Sequence, residues 1–298
     1  MSRAWLVVVL ALAGCPSSNS ESDGGAGDLA VTTPDDLATG GGTPADLLQA
    51  PNTANIGVTS ATSAMDKSYI ASANFIMGVL PTSPCVLTNT TYCQAAACTI
   101  PSADAGSPAS TYSLVSGGTV TITGGSMPVT LTPMAGTTGY YPPVPSTTQP
   151  LFTGGETLTL ANSGAAAPAS STMVVAPSPP TITMPSGTSY TITRSAGFTL
   201  AWTGGGPGDV SFVILSAFPT NPGDKYGSVR CNFPVADGQA TVPANALAAL
   251  PAGNASFQIS VVNTVSTAVN DWVINASATT YPLGSGGQPF SSGGATIN

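Results

Sequence analysis

The sequence predicts an all-β protein: two antiparallel β-sandwich-like halves behind a disordered N-terminal tether, with one short helix near 244–250. Three observations lead there. Apolar residues alternate with Thr or Ser at period two in run after run, the signature of a half-buried strand. Glycine (34 residues) and proline (27) break those runs at short intervals, as in sandwiches of short strands joined by turns. A single stretch carries both helix start and helix stop signals. Enrichment in Pro, Gly and Ser also marks disorder, but 42% hydrophobic residues argue for a packed core beyond the tether.

Residues 1–14 read as a signal peptide. Arg3 supplies its charge, and Ala4 to Ala13 is an unbroken apolar run. That run is shorter than the roughly 20 apolar residues of a membrane-spanning helix. Small residues at Ala13 and Gly14 suit a cleavage site, and Cys15 follows directly. Leu12-Ala13-Gly14-Cys15 resembles the lipobox of bacterial lipoproteins. The resemblance implies that Cys15 receives a diacylglyceryl group and becomes the mature N-terminus, with an amide-linked fatty acid such as palmitate completing the anchor. Two or more acyl chains hold a protein stably on a bilayer, where one is marginal. Pro16 and Ser17 come next. Aspartate at those positions retains some lipoproteins in the inner membrane, so the expected address is the outer membrane of the cell envelope.

Residues 15–51 are the lipidated cysteine and an acidic tether. Glycines cluster at Gly24-Gly25 and Gly40-Gly41-Gly42, and no apolar face recurs. Thr33-Pro34-Asp35-Asp36-Leu37 returns as Thr43-Pro44-Ala45-Asp46-Leu47, a weak repeat that reads as a solvated spacer. As a flexible coil it would span roughly 30–35 Å.

Residues 52–176 form the first expected β domain. Its strand candidates are Tyr69 to Val79, Thr119 to Thr123, Pro128 to Thr132, Glu156 to Leu160 and Thr172 to Val175. Val120 and Ile122 share one face while Thr119, Thr121 and Thr123 share the other. Threonine on the outer face keeps β-propensity without adding apolar surface. Gly117-Gly118 and Gly154-Gly155 precede such runs and are expected turns.

A proline-rich connector at 177–187 leads into residues 177–283, the second expected domain. Phe198, Leu200 and Trp202 alternate with Thr199, Ala201 and Thr203 before Gly204-Gly205-Gly206-Pro207 ends the run. Val210 to Leu215 is apolar on both faces and suits a central strand. Phe257, Ile259 and Val261 alternate with polar residues, and Val269 to Ala276 is the last expected strand. Ala244 to Leu250 is the helix: Pro243 suits its first turn, Pro251 and Gly253 end it, and Leu247 and Leu250 face inward as a lid. Residues 284–298 are expected to be a glycine-rich tail, frayed at its end.

The Trp-bearing run Thr199-Leu200-Ala201-Trp202-Thr203 and the short strand spacing resemble an immunoglobulin-like or fibronectin-like sandwich. A broader likeness covers most of the chain. The lipobox, the Asp-Leu-Ala tether, the spacing Cys85…Cys93…Cys98, Leu151-Phe152-Thr153-Gly154-Gly155-Glu156-Thr157-Leu158, Arg194-Ser195, Cys231-Asn232-Phe233-Pro234 and Thr241-Val242-Pro243-Ala244 resemble uncharacterised surface lipoproteins of myxobacteria and relatives. That resemblance implies a secreted, lipid-anchored β-protein and transfers no activity to any residue.

Composition excludes several functions. The net charge is −8, or −9 once Arg3 leaves with the signal, and residues 52–298 hold seven acids and four bases. No basic patch is available to neutralise phosphates, so nucleic acid is not an expected partner. Histidine is absent, which removes a Ser–His or Cys–His pair and the commonest zinc ligand. No nucleophile elbow, phosphate loop or dinucleotide fingerprint occurs. Asp66, Asp104, Glu156, Asp209, Asp224, Asp237 and Asp271 sit mostly beside Gly, Pro or Asn, where turn and cap duty explains them better than a catalytic pair. Asn221-Pro222-Gly223-Asp224 and Gly208-Asp209 are the calcium candidates, and both lack the acidic density of a dedicated site. No metal or cofactor is expected.

Cys85, Cys93, Cys98 and Cys231 remain once Cys15 takes lipid. An even number in an exported chain implies two disulfides. Three of the four lie close together in sequence, so one of them must pair with Cys231, while Cys85 pairs locally with Cys93 or Cys98. The expected function is non-enzymatic: a membrane-anchored module for adhesion, scaffolding or ligand binding, with an unknown protein or glycan partner. The alternative is carbohydrate binding through the exposed pair Tyr140-Tyr141, since tyrosines on loops stack on sugar rings. A hydrolase using carboxylates ranks last.

Overall fold

The computed structural model describes residues 52–62, 67–79, 85–100, 111–133, 150–187, 189–216, 221, 223–287 and 290–298. The signal, Cys15 and the tether lie outside them. The fold is all-β: eighteen strands, mostly antiparallel, and one short α-helix among the described residues.

The N-terminal strands are β1 (Asn52–Thr62), β2 (Lys67–Val79), β3 (Val86–Asn89), β4 (Cys93–Thr99) and β5 (Thr111–Leu114). A separate four-stranded sheet follows from β6 (Val120–Thr123), β7 (Val129–Leu131), β8 (Thr157–Asn162) and β9 (Ser170–Val175), in the order β7-β6-β8-β9. Next come β10 (Thr181–Met184), β11 (Ser189–Ile192), β12 (Phe198–Thr203), β13 (Asp209–Ser216), β14 (Lys225–Pro234) and β15 (Gln239–Val242). Helix α1 (Ala244–Leu247) precedes β16 (Gly253–Val269), β17 (Trp272–Thr280) and β18 (Ser292–Ile297). The main path of the large sheet runs β3-β4-β14-β13-β16-β17-β1-β2-β5, and β18 and β11 complete its eleven strands. The third sheet is β10-β12-β15.

Alternation makes two cores. In the first, Ala54, Ile56 and Val58 of β1, Ala71, Ala73 and Phe75 of β2, and Trp272, Ile274 and Ala276 of β17 join Val120, Ile122, Leu158, Leu160 and Val174 of the four-stranded sheet. In the second, Phe212, Ile214, Val229, Cys231, Phe257 and Ile259 of the large sheet join Ile182, Leu200, Trp202 and Val242 of the third sheet. Burial of these side chains supplies the folding drive, about 25 cal/mol per Å² of apolar surface.

These cores do not follow the division of the chain at residue 177. Strand β4, early in the chain, pairs with β14 and sends Cys93 and Ala95 into the second core. Strand β17, late in the chain, lies parallel to β1 and belongs to the first core. Strand β16 serves both: Phe257, Ile259 and Val261 are buried in the second core, and Val269 packs against the first. Residues 49–298 accordingly form one compact unit.

Several local expectations shift. The helix ends at Leu247 and continues as a turn, and Pro243 stands before it as an extended N-cap residue rather than in its first turn. Leu247 and Leu250 are buried beneath it, so the lid is formed as expected. The strand expected at Val269 to Ala276 is instead β17, displaced because Asn270 (φ 55°) and Asp271 make a two-residue hairpin turn with β16. The glycine-rich end is no frayed tail. Strand β18 pairs in parallel with β11 and antiparallel with β16, because Ala295 and Ile297 alternate inward and are buried. Arg194 fixes that end: its backbone N–H donates to the Asn298 carbonyl (3.1 Å) and its Nη1 donates to the Leu250 carbonyl (3.1 Å).

On the outer face of the large sheet, four side chains align across four strands. Ser266 Oγ donates to Asn275 Oδ1 (2.7 Å), Asn275 Nδ2 to Asn55 Oδ1 (3.1 Å), and Asn55 Nδ2 to Asn74 Oδ1 (3.1 Å). Each pair is directly opposite in register, so the row locks β16, β17, β1 and β2 against slippage.

Candidate functional site

The cysteines organise one end of the large sheet. Cys93 is bonded to Cys231 and Cys85 to Cys98. Of the two local pairings open from sequence, Cys85 takes Cys98. Cys93 and Cys231 stand directly opposite each other in the β4–β14 ladder. Val86 stands opposite Ala97, which places Cys85 beside Cys98 at the end of the β3–β4 ladder. Strand β4 is therefore stapled to a different neighbour near each of its ends.

A cleft of about 430 Å³ opens where β12 and β14 end. That volume lies at the small end of the range for small-molecule sites, roughly 300–1,000 Å³. One wall is the loop Gly204-Gly205-Gly206-Pro207-Gly208; the other is Pro234, the 3-10 turn Val235–Asp237 and Gly238. Glycine is required at Gly205, with φ +87°, where a Cβ would stand 2.8 Å from Pro180 Cβ. It is required at Gly208 as well, with φ +113°, where a Cβ would stand 2.6 Å from the Val262 carbonyl. Trp202 closes the back of the cleft. Its Nε1 donates to the Val235 carbonyl at 2.7 Å, its backbone N–H donates to the Gly238 carbonyl at 2.8 Å, and it is 3% exposed. The Val235 N–H donates to the Gly208 carbonyl (3.0 Å), which ties the two walls together.

Two carboxylates flank this cleft. Asp209 follows Gly208, and Asp237 lies between the lining residues Ala236 and Gly238. Burial raises the pKa of Asp209, and the charge of Asp237 raises it further. The lining itself offers shape and backbone polar groups, and no hydroxyl, thiol or carboxyl side chain. Sequence reasoning saw the Gly204–Pro207 run only as a strand terminator. The available signal was its density: four glycines in five residues, directly after a tryptophan-bearing strand.

Two further acids among the described residues, Asp224 and Asp271, do turn duty. Asp224 Oδ2 accepts from the backbone N–H (3.1 Å) and Nδ2 (3.3 Å) of Asn221, which closes the calcium-candidate loop on itself. Asp271 Oδ2 accepts from Asn52 Nδ2 (2.7 Å). Among the described residues no three His, Cys, Asp or Glu side chains gather as metal ligands. Asp66, Asp104, Cys15, Tyr140 and Tyr141 lie outside the described residues. Trp202 and Trp272 are core residues, as expected.

Glu156 caps the turn that opens β8. Its Oε1 accepts from the Thr153 N–H (2.8 Å) and hydroxyl (2.6 Å), and its Oε2 from the Gly154 N–H (2.6 Å). Burial acts to raise its pKa, but these bonds outweigh it and hold the value at about 2, against an ordinary 4.5. A lowered folded-state pKa stabilises fully above the ordinary value and is lost as pH falls through 4.5 towards about 2. Glu156→Gln is expected to flatten the acid limb of a stability–pH curve between those values. The carboxylate is largely solvated, so the effect is about 1 kcal/mol or less. An unchanged acid limb in urea titrations at pH 3 and pH 6 would sink the assignment.

Together these features define an all-β, sandwich-type module with an end cleft. No family model, curated protein or solved structure matches the chain.

Proposed function

We propose that the chain is a non-enzymatic, lipid-anchored envelope protein that displays its β-sandwich module for adhesion, scaffolding or ligand binding. The observation that carries this reading is the pair of disulfides. Disulfides persist in oxidising compartments, which matches a chain whose first residues read as an export signal. They use every cysteine of the folded part and leave Cys15 for acylation. The likeness to lipobox-bearing surface lipoproteins points the same way. In this reading the tether sets the module off from the lipid surface, and the cleft between Gly204–Gly208 and Val235–Gly238 is where a small ligand would enter.

Cys15→Ala tests the anchor. The variant is expected to remain an unprocessed or unacylated precursor and to lose the outer-membrane fractionation of the wild type. Wild-type membrane partitioning by the variant would reject the reading, and recovery of the wild type in the inner membrane would reject the address. Replacing residues 16–51 by Gly/Ser of equal length should leave the melting temperature unchanged, as expected of a solvated spacer. A drop of several degrees would mean that the segment packs.

A further inference from the structure

The cleft where β12 and β14 end joins two kinds of surface. Its back and walls are apolar, with side chains from Trp202, Pro207, Pro234, Val235 and Ala236. Its rim is anionic. Asp209 follows the lining residue Gly208 and stands directly opposite the lining residue Pro234 in the β13–β14 ladder. Asp237 lies between the lining residues Ala236 and Gly238. Both side chains reach solvent, and the two carboxylates are near enough for the charge of Asp237 to act on Asp209.

These two charges are unspent. Glu156, Asp224 and Asp271 each accept hydrogen bonds from neighbouring groups. Asp209 and Asp237 accept none and form no ion pair among the described residues. No base offsets them. Arg194 is engaged with the carbonyls of Leu250 and Asn298, and Lys225 opens β14 at the end away from the cleft. Arg230 is shifted by burial alone, with no carboxylate acting on it, and Lys67 starts β2, four strands from β13 in the sheet. The backbone carbonyls around the cleft are already occupied: those of Gly206, Gly208, Val235 and Gly238 accept hydrogen bonds within the protein. A calcium ion takes about six to eight oxygens, more than two carboxylates supply. An ammonium group donates only about three hydrogen bonds.

We propose that the cleft binds an alkylammonium group, its hydrocarbon tail against Trp202 and Val235 and its charged head at the rim between Asp209 and Asp237. The proposal deepens the ligand-binding reading above and rests on it. Charge complementarity selects the occupant. Two neighbouring carboxylates attract a cation and repel an anion, and a neutral molecule leaves their mutual repulsion in place. The apolar walls select the tail, which leaves water as it enters. Burial and the charge of Asp237 both raise the Asp209 carboxyl, and a bound ammonium acts in the opposite sense. Protonation of Asp209 and binding therefore compete, so affinity is full well above the raised value and is lost as pH falls through it.

The test uses the mature chain from Pro16 onward, exported behind a signal without a lipobox, with its disulfides intact. Hexylamine is the probe; 1-hexanol and hexanoate carry the same tail with no charge and with the opposite charge. Nitrogen-15 NMR follows the Trp202 indole N–H and the amides of Gly204, Gly205, Gly206 and Gly208. Hexylamine is expected to shift these signals with a Kd on the order of 1 mM, at least about tenfold tighter than either control. Asp209→Asn and Asp237→Asn, on separate elements, should each weaken it about fivefold with the melting temperature unchanged. Acidification from about pH 7 to about pH 4 should weaken binding to the wild type more than to Asp209→Asn. Nα-acetyl-lysine amide binding as well as hexylamine assigns the group to a lysine side chain of a partner, and its failure to bind assigns it to a free amine. Hexylamine binding no tighter than 1-hexanol, or unchanged in both Asn variants, overturns the proposal and leaves the cleft as a ligand site. So does a response to calcium chloride with none to hexylamine. Cleft signals that stay still with all of these probes remove the ligand-binding reading as well. Two independent variants keep the outcome readable if one of them folds poorly.

Discussion

Replacing Cys93 and Cys231 together by alanine is expected to lower the unfolding free energy by about 5 kcal/mol. The bond closes a loop of 138 residues, and loop-closure entropy for that span gives this figure before any native-state adjustment. Replacing Cys85 and Cys98, only 13 apart in sequence, should cost about 3 kcal/mol on the same account. Guanidinium unfolding of both double variants checks the order as well as the size. If the short-loop variant is the less stable of the two, loop closure is not what these bonds contribute. A non-reducing peptide map should recover Cys93 linked to Cys231, and a free Cys231 thiol would remove the premise.

Trp202→Ala should destabilise by about 3–5 kcal/mol, because a large buried side chain is lost and a cavity remains. Its ring joins the second core from the middle strand of the three-stranded sheet and also backs the cleft. Trp202→Phe separates these roles. It keeps most of the apolar volume but removes the Nε1 donor from the Val235 carbonyl, which keeps the Gly238 N–H (3.3 Å), a loss of about 0.5–1.5 kcal/mol. Chemical denaturation of the two variants reads the split. A Phe variant as damaging as the Ala variant would mean that the hydrogen bond to Val235, not packing, is what Trp202 contributes.

The strands that sequence reasoning found are those whose alternation is local and strong. Val120–Thr123 and Phe198–Thr203 pair apolar residues with threonine so regularly that period two is plain. Strand β1 also alternates, through Ala54, Ile56 and Val58, but Asn55 and Gly57 between them dilute the pattern. Strand β18 was hidden by its glycines, since Ala295 and Ile297 alone carry its apolar face. Pairing was least legible. Nothing near Cys93 in sequence indicates that its neighbour is β14, and nothing near Trp272 indicates a parallel partner at Asn52. Those choices are made by burial across the whole fold, which a window along the chain does not contain. The bond to Cys231 was legible because the number and clustering of the four cysteines constrain their pairing without any local pattern. The cleft was missed for the opposite reason. Its walls are glycine and proline, which read as punctuation until a tryptophan is seen behind them.

The parallel placement of β1 beside β17 bears on how the module withstands tension. The chain enters its first described strand at Asn52, and β1 lies in the interior of the sheet between β17 and β2. A pull delivered through that end along the strand axis loads the ladders on both flanks in shear. Their hydrogen bonds share the load and must fail together rather than unzip one at a time. The Asn55–Asn275 and Asn55–Asn74 amide bonds cross the same two seams and resist sliding in the same direction. A module held from this side would bear drag at its strongest seam, while a pull directed across the strands, peeling from the β5 margin, would meet single bonds in succession.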